Sequence, residues 1–185
     1  GGMVRCVKVG AAALCVPGNP LRGQATALGV DIPHGTWHTA VALAPDRPEG
    51  YLLYAKTLNR LGAHAKAEEM ARQARRLALS TEEKALAQGE VTQALLYQSR
   101  VTDALASALE TAKLGQMAGN KGLEANGLFL MAAACQLKGD RSCMIKSLER
   151  AAYLDAKYYA ALEAAKGGRN VFDPNDKESL GLLDS

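Results

Sequence analysis

The sequence predicts an all-α chain built of antiparallel helix pairs, and three observations carry that prediction. From His34 onward, apolar residues recur at the three- and four-residue spacing of a helix face. Glycine, proline and capping residues interrupt the pattern at short intervals, so connections are short and neighbouring helices should pack antiparallel. The composition is 48% hydrophobic but only 5% aromatic. Such a core relies on small residues between close helices rather than on large rings.

Residues 1–33 break from the pattern. Pro17, Pro20 and Pro33 stand among Gly10, Gly18, Gly23 and Gly29, a density that disrupts regular structure, so this segment is expected to be irregular. Met3–Val16 carries Arg5 and Lys8 ahead of a short apolar stretch, a weak secretory pattern. Leu14 stands where a lipoprotein site at Cys15 requires a small residue. A strand or loop packed on the helices is the plainer reading, and Gly1 and Gly2 read as an expression remnant.

Each later element has its own signals. Trp37, Ala40, Val41 and Leu43 form one apolar helix face, closed by Pro45. Pro48 opens the next helix, because proline suits a first turn. That helix extends to Leu61 and ends at Gly62, where glycine tolerates the left-handed conformation. Its partner spans about Ala65–Leu79. Ser80 and Glu83 have capping-box spacing, and a helix follows to Tyr97. Val101–Met117 is next, then a break at Gly119-Asn120, with Asn120 a cap for Leu123–Lys138. A Gly139-Asp140 turn leads to Ser142–Leu154, and Ala156–Lys166 is the last helix before Gly167-Gly168. Val171–Ser185 is read as a tail.

Bulk properties bound the function. The 185 residues suit one domain with a real core. A net charge of +3 with no Lys/Arg run gives no nucleic-acid footprint. No apolar run approaches the roughly 20 residues of a membrane span. Cys6, Cys15, Cys135 and Cys143 match no zinc spacing and no small-domain disulfide framework. They are read as separate buried thiols, with a Cys135–Cys143 bond across the Gly139 turn as the alternative. The compartment stays open, with the cytoplasm favoured over the periplasm or a membrane surface.

The stretch from Trp37 to Tyr159 resembles tetratricopeptide repeats. Ala55, Gly62, Ala67 and Ala74 stand where that family keeps small residues so that paired helices approach closely, and Pro45 matches its late proline. Ala132, Gly139, Asp140, Leu148 and Ala151 repeat the pattern in a third pair. The second pair is degenerate, with Ser99 in place of the turn glycine. The interval from Gly62 to Gly139 exceeds two periods of the simple ~34-residue repeat, as in the longer-helix variants of the superfamily. The resemblance implies a short right-handed α-solenoid of about three antiparallel helix pairs over residues 34–170, with a concave face that binds a partner.

In that family the first helix of each pair lines the concave face. Carried over by position, the groove residues are Glu49, Leu52, Lys56, Asn59 and Arg60 in the first pair. They are Gln93, Leu96 and Tyr97 in the second, and Asn126, Phe129, Ala133, Gln136 and Leu137 in the third. Lys56, Asn59 and Arg60 would supply a basic, amide-bearing end, and Leu96, Phe129 and Leu137 an apolar floor. The expected partner is another protein, through a peptide or amphipathic helix, with a self-assembling or membrane-associated subunit of a multiprotein complex as the alternative. A solvated helix face accounts equally for Lys56 and Arg60. Arg72, Arg75 and Arg76 are read as the convex, solvated side, with Glu68 and Arg72 paired across one turn.

Catalytic signals are thin, and the chain is expected not to be an enzyme. His34 and His38 have a spacing that can hold a metal, but no glutamate follows His34 and no third ligand is evident. Asp173, Asn175, Asp176 and Glu178 resemble a calcium-loop fragment without its central glycine. No nucleophile elbow, phosphate loop or glycine-rich nucleotide fingerprint occurs. No cofactor is expected.

Overall fold

The computed structural model describes residues 4–9, 12–17, 41, 45–173 and 175, the two strands by their backbone alone. The helix expected over Trp37–Leu43 lies outside them apart from Val41, as do His34 and His38. Near the N-terminus, β1 (Val4–Val9) and β2 (Ala12–Pro17) pair antiparallel, from Val4 opposite Pro17 to Val9 opposite Ala12. This corrects the irregular expectation over those residues. Two residues of sequence separate the strands, the spacing of a short hairpin, a signal the proline density obscured.

Seven α-helices follow among the described residues: α1 (Pro48–Arg60), α2 (His64–Leu77), α3 (Thr81–Tyr97), α4 (Val101–Met117), α5 (Lys121–Lys138), α6 (Arg141–Leu154) and α7 (Tyr159–Lys166). The punctuation behaves as its chemistry requires. Pro48 occupies the first turn of α1. Ser80 Oγ accepts from the Glu83 N–H at 3.1 Å, while Glu83 Oε2 accepts from the Ser80 N–H at 3.0 Å. The Ser80 and Leu79 N–H groups hold the Glu83 carboxyl below its ordinary range. Asn120 caps α5 through the Leu123 N–H, and Asp140 caps α6 through the Cys143 N–H. Gly62, Gly119 and Gly139 all take positive φ at helix ends. Ser99 does so as well, with φ 56°, the sole non-glycine among the described residues to enter that region. Its side chain must tolerate a conformation disfavoured for L-residues.

One expected helix is divided. Ala156–Tyr158 forms a 3-10 turn ahead of α7. Asp155 is extended, with φ −148°, and its carboxylate accepts from the Lys157 N–H at 3.1 Å, which tightens the start.

Each helix packs on its neighbours in sequence, and α3 also touches both α1 and α5. The tightest crossing joins α4 and α5. A Cβ placed on Gly127 would lie 2.3 Å from the Ala112 nitrogen, and one on Gly115 would lie 2.3 Å from the Glu124 nitrogen. The two backbones therefore touch at both ends of the crossing, which only glycine permits. Most of the core is small: Ala55, Ala71, Ala104, Ala108, Ala125 and Ala132–Ala134 are buried, with Phe129, Tyr158 and Phe172 the bulkiest members. A second patch joins Tyr54, Leu58, Ala67 and Ala94.

Between α3 and α4 the core turns polar. Gln88 Nε2 donates to Ser107 Oγ at 2.6 Å, and Thr92 Oγ1 lies 2.8 Å from Ser107 Oγ and 3.2 Å from Thr111 Oγ1. This ladder ties α3 to α4 and satisfies the Thr92, Ser107 and Thr111 hydroxyls, which would otherwise be costly to bury. Cys135 and Cys143 form a disulfide with Cα atoms 5.8 Å apart. This corrects the expectation of separate thiols: the Gly139-Asp140 turn brings the last turn of α5 against the first turn of α6.

Candidate functional site

The residues assigned to the groove by position come from α1, α3 and α5, and their burial divides them. Asn59, Leu96, Phe129 and Ala133 are buried; Glu49, Leu52, Lys56, Gln93, Tyr97, Asn126, Gln136 and Leu137 are half-buried; Arg60 is exposed. Asn59 does not serve a basic, amide-bearing end. Its Nδ2 donates to the Glu90 carbonyl at 3.2 Å and to Glu90 Oε2 at 3.1 Å, tying α1 to α3. Phe129 is not an open floor either. The Tyr158 ring stacks on it, with centroids 5.2 Å apart. Burial pushes the Tyr158 hydroxyl well above the ordinary tyrosine range, reinforced by the nearby Asp155 charge. Sequence reasoning could not anticipate these contacts, because both partners arrive from other helices.

Beside those buried members runs a line of contacts from α1 through α2 and α3 to the residues after α7. His64, at the start of α2, has Nδ1 3.4 Å from Asn59 Oδ1, and its ring stacks on Tyr97 of α3 with centroids 4.6 Å apart. Tyr97 in turn meets Phe172 edge to face at 5.4 Å. Phe172 belongs to the expected tail, yet it is only 2% exposed.

Gln136 explains how the tail is held. Its Oε1 accepts from the Val171 N–H at 2.6 Å and the Phe172 N–H at 3.2 Å, and its Nε2 donates to the Phe172 carbonyl at 2.6 Å. One side-chain amide thus satisfies three backbone groups of an irregular segment. An amide can do this because it carries both a donor and an acceptor. Gln136 was expected at the groove. Phe172 was missed: at the sequence level it is one aromatic residue in a polar stretch, and nothing local marks it as buried.

The arginines of α2 are engaged with neighbouring groups. Arg72 and Arg100 both bind Glu68 at 2.8 Å, and Gln98 Nε2 donates to Glu68 Oε2 at 3.0 Å. Burial alone would raise the Glu68 carboxyl. The hydrogen bonds from Arg72 and Gln98, with the Arg100 and Arg72 charges, outweigh it and hold the group below its ordinary value. Arg75 pairs with Glu110 of α4, and Arg76 with Gln73. This cluster clamps α2 against α3 and α4.

Among the described residues no group of three or more His, Cys, Asp or Glu side chains could hold a metal ion, and no helix is long and apolar enough to cross a membrane.

No protein-family model, curated protein or solved structure matches the chain.

Proposed function

We propose that this chain is a non-catalytic adaptor: a short right-handed α-solenoid of tetratricopeptide type whose face from α1, α3 and α5 binds a peptide or helix of another protein. The observation that carries the reading is the docking of Val171–Phe172 on Gln136 and Tyr97. That face holds the segment by its backbone and buries its aromatic side chain, which is how peptide-binding surfaces combine affinity with selectivity. Serial packing of the helices, with α3 against both α1 and α5, supports the solenoid arrangement.

The test is recovery of a partner from native extract by the wild type and by Lys56→Glu/Arg60→Glu, read by mass spectrometry. A protein retained by wild type and lost by a still-helical double variant is the expected result. Equal recovery by both would count against this groove.

Self-association is the second reading. Tyr153 is 86% and Tyr159 60% exposed, two rings at the carboxyl end of the helical array. A monomeric mass at high concentration by light scattering would remove it.

A further inference from the structure

We infer that Val171–Asp173 is a built-in, displaceable occupant of the peptide-binding face, and that the natural partner presents the same pattern there: an aliphatic residue followed by an aromatic one. The inference rests on the adaptor reading and narrows it to a ligand chemistry.

The burial profile carries it. Gly167, Gly168, Arg169 and Asn170 are exposed, Val171 is half-buried, Phe172 is buried, and Asp173 and Asn175 are exposed again. A single anchored side chain between solvated flanks is the profile of a docked peptide. A further packed helix would bury residues at every turn. α7 ends at Lys166, and Gly168 takes a φ of 81°, so a glycine cap turns the chain out of the helix just ahead of Val171. Beyond the anchor, Asp173 Oδ1 accepts from the Asn175 N–H at 2.9 Å.

The receiving surface reads backbone and ring separately. Gln136 makes its three hydrogen bonds to main-chain groups alone, so any residue except proline can follow them. Selection falls to the pocket, where Phe172 lies edge to face on Tyr97, itself stacked on His64. Edge-to-face ring contacts add to simple burial, so an aromatic side chain is preferred there. A partner carrying such a pair would compete directly with the tail. A tethered competitor acts at an effective concentration set by its short linker, so the resting chain would bind partners weakly until one outcompetes it.

The test uses the full chain and a fluorescein-labelled synthetic peptide with the sequence of residues 169–175. Phe172→Ala empties the pocket while leaving Gln136 in place. By anisotropy, this variant should bind the peptide about tenfold or more tighter than wild type, as expected when a tethered competitor is removed. Adding Gln136→Ala should abolish that gain, as should replacing the peptide's phenylalanine with alanine. A folded Phe172→Ala chain that ignores the peptide overturns the inference.

Amide hydrogen exchange on wild type decides the matter even if that variant fails to fold. Val171 and Phe172 should exchange at least tenfold faster than the central amides of α5, as a locally opening segment does. Exchange at the core rate overturns the inference. Peptide binding by Phe172→Ala without any partner recovered from extract would leave the tail as an internal ligand and would count against the adaptor reading instead.

Discussion

Gly127→Ala is the sharpest test of how the helices meet. In an isolated helix this change is favourable, since alanine exceeds glycine in helix propensity by about 1 kcal/mol. Here the added Cβ would lie 2.3 Å from the Ala112 nitrogen, 2.6 Å from its Cα and 2.9 Å from its Cβ. Carbon atoms in good contact stand about 3.5–4.0 Å apart, so α5 must move away from α4 by about an ångström. The obstructing atoms are mainly backbone, so no rotamer change can relieve them. Overpacking of this kind costs about 1–3 kcal/mol and sometimes more. Separating two helices also weakens dispersion contacts along their whole crossing, which places the cost at the upper end. After the propensity gain we expect a net loss of about 2 kcal/mol. For a chain of this size that corresponds to a melting temperature lower by about 4–8 °C. The assay is urea unfolding followed by circular dichroism, with Gly122→Ala as the control. Gly122 lies in the same helix, but a Cβ there would meet only Asn120 Oδ1 at 3.4 Å, so the control should be neutral or slightly stabilising. Gly115→Ala should behave like Gly127→Ala. The double variant should cost less than the sum, because the first substitution already parts the helices. Unchanged or raised stability in Gly127→Ala would refute backbone contact at this crossing.

Three further outcomes are expected. Ser99→Gly should stabilise the fold by about 1 kcal/mol, because a left-handed residue with a side chain costs about 1–2 kcal/mol, partly offset by glycine's greater freedom when unfolded; an equilibrium denaturation curve measures it. The Glu68 carboxyl is held below its ordinary value of 4.5, so its ion-pair contribution is fully present above that pH and fades as pH falls through the lower folded value. Glu68→Gln should therefore cost about 1 kcal/mol near neutrality, and a pH series of melts should show the difference from wild type shrinking in acid. The Cys135–Cys143 bond has a sequence separation of 8, and loop-closure entropy for a link of that size is about 2.5 kcal/mol. Reduction should lower stability by up to that amount, and peptide mapping of the unreduced chain should recover the two cysteines in one linked fragment.

Much of the helical organisation was already legible in the chain. Ser80 with Glu83, Asn120, Gly62, Gly119 and Gly139 mark boundaries that depend on backbone geometry within a few residues of each cap or turn. Ser99 shows the limit of reading residue type alone. It lacks glycine's freedom yet completes the same turn, because packing of α3 on α4 compels it. The groove was less legible. The positions on α1, α3 and α5 follow from the family resemblance, and a resemblance does not say which of them another helix will cover. Tyr158 covers Phe129, and Glu90 engages Asn59, each from a distant part of the chain.

The sequence by itself determined the helical character, the approximate helix boundaries and their short connections, because capping, propensity and apolar spacing act over a few residues. Only the tertiary structure decided that α4 and α5 touch at Gly115 and Gly127, that Cys135 meets Cys143, and that Gln136 holds Val171 and Phe172. Those contacts depend on the relative placement of whole helices, which is set by the sum of many small packing energies and leaves no local mark at the residues concerned.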